Sequence, residues 1–150
     1  MTARMGFQGK LFYRVGGVGS GSWVELANVR DVNINLSKSE GDATTRGNNG
    51  WKATLAGIKD GTVEFEMVWD TTEPGFGAIQ TAWDTNAAIG IAAFDSESGA
   101  GWEFDAQVFD LSKSEPLEDA QTASVTIKPT FSDTPPAYVS SGGPTGGTST

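Results

Sequence analysis

The chain has 150 residues, with 10 Lys and Arg against 19 Asp and Glu, and it contains neither Cys nor His. That length suits one domain, whose core buries roughly 68–70% of the surface an unfolded chain exposes without needing covalent staples. The missing thiols and imidazoles exclude disulfide scaffolds, Cys/His zinc sites and Ser-His-Asp triads, leaving carboxylates, hydroxyls, Lys and Arg as the catalytic vocabulary.

No apolar run approaches the ~20 residues of a spanning helix. Met1–Phe7 lacks an apolar leader segment, so neither membrane insertion nor secretion is expected. The net charge of -9 is unevenly placed: fourteen of the 19 carboxylates fall between residues 60 and 120, with Lys113 alone to offset them. The first thirty residues carry Arg4, Lys10, Arg14 and Arg30 against Glu25. One reading is a solvated acidic surface; the other is head-to-tail association of a basic face with an acidic one. Either way, binding of nucleic acid through basic patches is not expected.

In chain order, Lys10–Val15 reads as a first strand closed by the Gly16–Gly21 turn, and Trp23–Leu26 as a second. Val32, Ile34 and Leu36 alternate with Asp31, Asn33 and Asn35, which predicts a strand with one buried face. Ser37–Gly50 holds no apolar side chain larger than Ala43 and reads as a long loop, the kind that compact domains keep for binding or partner contact. Within it, Gly47-Asn-Asn-Gly50 is turn chemistry, with no following Lys-Ser/Thr to make a phosphate cradle. Trp51, Ala53 and Leu55 predict another strand. Val63, Phe65, Met67 and Trp69, alternating with Thr62, Glu64 and Glu66, give the strongest strand pattern. Pro74–Ala88 breaks the rhythm: Phe76, Ile79, Trp83 and Ala87 fall near a 3.6-residue period, Pro74 suits a first helical position, and Thr72 or Glu73 can cap it. Trp83 is expected in the core. Ile89–Phe94 is apolar on both faces, and Trp102–Leu111 and Ala123–Phe131 complete the strands. Leu36–Glu40 recurs as Leu111–Glu115, which suggests two equivalent strand–loop–strand units. The division is a β-domain over 1–131 and a Ser/Thr/Gly/Pro-rich tail over 132–150, which is expected to dock on a neighbouring subunit.

Chemistry is sparse. Asp95, Glu97, Glu103 and Asp105, near Phe94, Trp102 and Phe104, are the sole arrangement that could serve paired-carboxylate hydrolysis, though carboxylates alternating along strands ordinarily face water. Glu40–Asp42 and Asp95–Glu97 cluster oxygens without the spacing of a calcium loop. We expect no enzymatic activity, no metal and no cofactor.

The assembled pattern resembles the major tail tube proteins of long-tailed bacteriophages. The carriers are Gly9–Tyr13, Trp23–Val32, Ser39–Arg46, Trp51–Ile58, Val63–Trp69 before the single helix, and the closing Ala120–Ile127. The resemblance covers residues 7–131. It implies an all-β sandwich or barrel with one flanking α-helix, a structural virion protein that forms hexameric rings stacked into a DNA-conducting tube. Each subunit would lend strands to a closed inner barrel. It further implies tape-measure, tail terminator and baseplate or tip proteins as partners. The inner-face candidates are Asp31, Asn33, Asn35, Lys52, Thr54, Gln107, Ser124, Thr126 and Lys128; the loop residues Ser39, Glu40, Asp42, Thr45 and Arg46 are the candidates for contact between rings. The alternative is a β-sandwich carbohydrate-binding or adhesin module that uses exposed Trp or Tyr as sugar platforms. In that reading the same polar faces simply meet water.

Overall fold

The computed structural model describes residues 3–16, 22–130, 132 and 134–144. The glycine turn beyond Gly16, Phe131 and the tail from 145 onward lie outside them. Eight strands and one helix follow in order: β1 (Lys10–Val15), β2 (Val24–Glu25), β3 (Val29–Asp42), β4 (Thr54–Val68), α1 (Pro74–Thr85), β5 (Ile89–Phe94), β6 (Gly101–Ser114), β7 (Thr122–Pro129) and β8 (Ala137–Val139). All pairings are antiparallel and run β2-β1-β5-β6-β7-β4-β3, with β8 on β6. The result is a single sheet curled into a half-barrel with one helix. The long strand β6 makes the turn: Gly101–Ala106 pairs with β5, and Ala106–Ser114 pairs with β7.

Alternation decides the core. Val63, Phe65 and Met67 of β4 stand opposite Ile127, Val125 and Ala123 of β7, and all six are buried. Phe104, Ala106 and Val108 of β6, Leu11 and Tyr13 of β1, and Phe76 and Ile79 of α1 complete the main cluster. As expected from its continuous apolar run, β5 is buried on both faces. On its second face Ala92 and Phe94 join Phe12 and Trp23 in a smaller cluster.

Three bulges keep this phase. Asp31 and Val32 together oppose Phe65, Gly57 and Ile58 oppose Ser39, and Phe109 is the extra residue of β6 between Val108 and Asp110. A bulge lets two residues three apart share a face, so Val108 and Leu111 both turn toward the core. Asp31 carries the strain of its bulge at φ 34.

The structure corrects the sequence reading at several places. The face of β3 that was expected to be buried is open: Val32, Ile34 and Leu36 are 41%, 42% and 58% exposed, because β3 is the edge strand and, among the described residues, nothing packs over it. Ser37–Asp42 is strand, and the connection at the hairpin tip shrinks to residues 43–53. Trp51 is not a core residue: it precedes β4 and is 79% exposed. Helix α1 ends at Thr85, with Asn86 as a left-handed cap at φ 58, and Glu73 is its N-cap. The helix buries Ala82 and leaves Trp83 half exposed, because its docking angle selects one of two adjacent positions on the stripe. The Leu36–Glu40 and Leu111–Glu115 repeats are not equivalent units: the first lies mid-strand in β3, and the second ends β6. Apart from these corrections, residues 137–139 of the tail pair with Gly101–Glu103 of the same chain, and Tyr138 meets Trp102 edge to face at 5.4 Å.

Ile127 is fully buried between Val63 and Val108. Ile127→Ala should therefore cost about 2–5 kcal/mol of unfolding free energy in urea titrations, with little change in slope. Leu55→Ala, on the exposed part of β4, should stay within about 0.5 kcal/mol.

Candidate functional site: a polar sheet face and a projecting hairpin

The strand residues that do not enter the core share the opposite face of β6-β7-β4-β3. Asp110, Thr126, Glu64 and Asn33 form one row across the four strands, and Ser112, Ser124, Glu66 and Arg30 form the next. Gln107 pairs with Lys128, Asn35 with Thr62 and Ser37 with Asp60 on the same face. Side chains here are short, polar and largely solvent-facing. Phe109, carried by its bulge, is an apolar exception, and Lys128 Nζ lies 5.9 Å from its ring centre. Acid outnumbers base: Asp60, Glu64, Glu66 and Asp110 stand against Arg30 and Lys128.

Of the nine sequence-selected inner-face residues, the structure brings Asn33, Asn35, Gln107, Ser124, Thr126 and Lys128 together on this surface. Gln107 is also tied down, its Nε2 donating to the Asn86 carbonyl at the end of α1 (3.1 Å). Asp31 sits in the bulge opposite Phe65. Thr54 pairs with Asp42 at the far end of the hairpin, and Lys52 lies outside any strand. Sequence reasoning passed over Asp60, Thr62, Glu64, Glu66, Asp110 and Ser112. The signal was present, since Thr62, Glu64 and Glu66 were already recognised as the non-core half of the strongest alternation.

The hairpin of β3 and β4 runs past the body. β7 accompanies β4 only as far as Val63, so Thr54–Asp60 pairs with β3 alone and projects roughly 20 Å. Its tip is held by local hydrogen bonds. Ala53 N–H donates to Thr44 Oγ1 (2.9 Å), Ala43 N–H to the Ala53 carbonyl (3.0 Å) and Trp51 N–H to the Asn48 carbonyl (3.0 Å). Asn49 at φ 53 and Gly50 at φ 82 reverse the chain after the short 3-10 turn Arg46–Asn48. Of the five loop candidates, Thr45 and Arg46 stand at this tip, while Ser39, Glu40 and Asp42 lie on β3. Ser39 has a local duty: its hydroxyl accepts the Ile58 N–H at 2.8 Å and fills the space where a side chain at residue 57 would stand, so the bulge needs Gly57.

The carboxylates of the hydrolytic arrangement are divided by the fold. Glu103 and Asp105 are buried, while Asp95 and Glu97 stay exposed in the turn after β5. Register places Arg14, Gly90 and Asp105 in one cross-strand row and Phe12, Ala92 and Glu103 in the next. The Arg14 guanidinium lies 4.4 Å from the Trp23 ring centre; burial lowers its pKa, and the charge of Glu103 opposes that shift. Asp105 accepts the Ser132 hydroxyl. These groups hold β1, β5 and β6 together and face no open cleft. Among the described residues, no three potential metal ligands cluster.

No protein-family model and no curated sequence matches the chain. Solved structures do. The SPP1 tail tube superposes with a TM-score of 0.73 at 14% identity over 93% of this chain and 80% of that one. A subunit from the tail of an empty GTA particle with C6 symmetry gives 0.69 at 14% identity, covering 93% and 99%. A subunit of the six-fold symmetrised baseplate of the anti-feeding prophage gives 0.65 at 9% identity, covering 93% and 97%. The chain thus has the fold of phage tail tube proteins.

Asp42 titrates below the ordinary aspartate range because the hydroxyl and N–H of Thr44 donate to it. A depressed carboxyl pKa stabilises the folded tip at higher pH and loses that contribution as pH falls through the depressed value. NMR titration of the Asp42 carboxyl should show this, and Thr44→Ala should return the midpoint toward the ordinary range.

Proposed function

We propose that this chain is the structural subunit of a phage-type tail tube, in which hexameric rings stack around a lumen that passes DNA. The observation that carries the reading is the polar face of β6-β7-β4-β3, which turns a continuous strip of Asn, Ser, Thr, Asp and Glu away from the core. The shared fold and the C6 symmetry of the GTA tail agree with it. Strand β3 ends the sheet, and among the described residues no strand pairs with the second edge of β6 beyond Ala106. Joining those two edges between neighbouring copies closes a barrel and removes the exposed edges.

A lumen for DNA must not hold it. Asp60, Glu64, Glu66 and Asp110 repel phosphate, and Glu64 and Asp110, one row from Lys128, temper its charge. Lys52, which would have added a positive charge, lies off this face. In this reading the projecting hairpin, with Ser39, Glu40, Asp42, Thr45 and Arg46, reaches the adjacent ring. The tail from 132, whose strand 137–139 stays on its own β6, adds contacts to a neighbouring copy in this reading. Tape-measure, terminator and baseplate or tip proteins bound the tube, which is built in the host cytoplasm and retained in the virion. The role is structural and non-enzymatic. A sugar-binding module has less to support it, because exposed Trp51, Trp83 and Tyr138 lie in three separate places, the connection before β4, α1 and β8.

Negative-stain electron microscopy and light scattering of purified protein across concentrations test the reading. Rings or hollow tubes are expected; a 15.7 kDa monomer at every concentration would overturn it. In tubes, Glu64→Lys with Glu66→Lys should leave assembly intact and create DNA retention that weakens steeply with added salt.

A further inference from the structure

The repeated segment meets two different fates. In Leu111–Glu115, Lys113 forms an ion pair with Glu115 and lies 4.3 Å from the ring centre of Trp69. In Leu36–Glu40, Lys38 stands directly opposite Lys59 on the hairpin. Like charges at opposed positions of an antiparallel pair repel. Both side chains are exposed, and among the described residues no carboxylate comes within ion-pair distance of either. Glu40 shares their face but sits one step further out, opposite Ala56. Beside this pair the Gly57–Ile58 bulge brings Ile58 and Leu55, three residues apart, onto the other face of the arm. They are 82% and 62% exposed. The arm therefore carries uncompensated positive charge on one face and uncovered apolar surface on the other.

The complementary surface lies at the other end of the same sheet. The loop between β6 and β7 reads Glu115-Pro-Leu-Glu-Asp119, with Leu117 at its centre 99% exposed. Trp69 N–H donates to the Gln121 carbonyl (2.8 Å), which sets this loop beside the Asp70–Glu73 turn and its two further carboxylates. The single base nearby, Lys113, is already engaged. From Lys59 to Val68 the strand covers about 30 Å, so the lysine pair and the acidic loop of one chain cannot meet. Two unlike surfaces at opposite ends of the sheet make a heterologous contact, which extends as a stack when copies follow one another along the strand direction.

Resting on the tube reading above, we propose that Lys38 and Lys59 of one copy receive Glu118 and Asp119 of a second copy stacked end to end. The contact relieves the lysine repulsion, and salt screens it.

Four chains test it: wild type, Lys38→Glu with Lys59→Glu, Glu118→Lys with Asp119→Lys, and all four changes together. The readouts are sedimentable fraction, tube length by electron microscopy, and thermal melting as a check on folding. Each pair reversal should cut the sedimentable fraction about tenfold and leave unstacked rings, since like-charge juxtaposition outweighs the remaining contacts. The fourfold chain restores complementarity and should stack again. Pair reversals that stack like wild type, that lose rings as well as stacks, or that the fourfold chain fails to rescue overturn the contact while leaving the tube reading standing. A wild-type chain that never assembles overturns the tube reading and this contact with it.

Discussion

Everything in this molecule depends on the phase of alternation across β6, β7, β4 and β3. Along Val63–Met67 each residue either enters the core or meets solvent, with no intermediate choice. A one-residue slip would drive Glu64 and Glu66 among Phe65's neighbours and expose Val63 and Met67. Burying a carboxylate without a partner costs several kcal/mol, so the register is strongly specified. The long strands cannot hold a perfect phase while the sheet curls, and the bulges at Asp31–Val32 and Phe109 absorb the mismatch. They add local bend and twist while returning Leu111 to the core side and Ile34 to the face of Val63, where it stays exposed at the sheet edge.

The same constraint divides the charges. Where β1, β5 and β6 are covered on both faces, polar groups survive only in partnership, as Arg14 does across Gly90 from Asp105 and beside Glu103. Where one face is open, carboxylates stand alone in water and stay short, giving a surface that hydrates well and repels polyanions. At the two ends of the sheet the balance is broken in opposite senses, with lysines facing each other on the hairpin and carboxylates crowded around Leu117. A fold that keeps one face dry, one face wet and its two ends unlike has a direction.

Most elements were legible in the chain. Val63–Met67 showed its alternation, Ile89–Phe94 its burial on both faces, and Pro74 the start of the helix. The six polar residues that gather on the open face were legible too, because alternation assigns them once the core half is known. Other features carried no local signal. Ser37–Asp42 is strand although it contains no apolar residue, because its backbone groups are paired by β4 across the hairpin and not because its side chains prefer it. Trp51 matches an alternating pattern with Ala53 and Leu55, yet strand pairing begins only at Thr54, so the pattern has no sheet to act on. Trp83 and Ala82 are adjacent on the helix, and only the angle at which α1 docks decides which is buried.

Composition and period therefore specified an acidic, mostly β chain with one helix, a core drawn from every second residue, and no thiol or imidazole chemistry. Those properties follow from side-chain type and strand geometry, which act locally. The length of the projecting hairpin, the placing of Glu103 and Asp105 beside Arg14, and the opposition of Lys38 to Lys59 were decided only by tertiary structure. Each depends on which strands lie side by side and in what register, and that is settled by burial summed over the whole sheet.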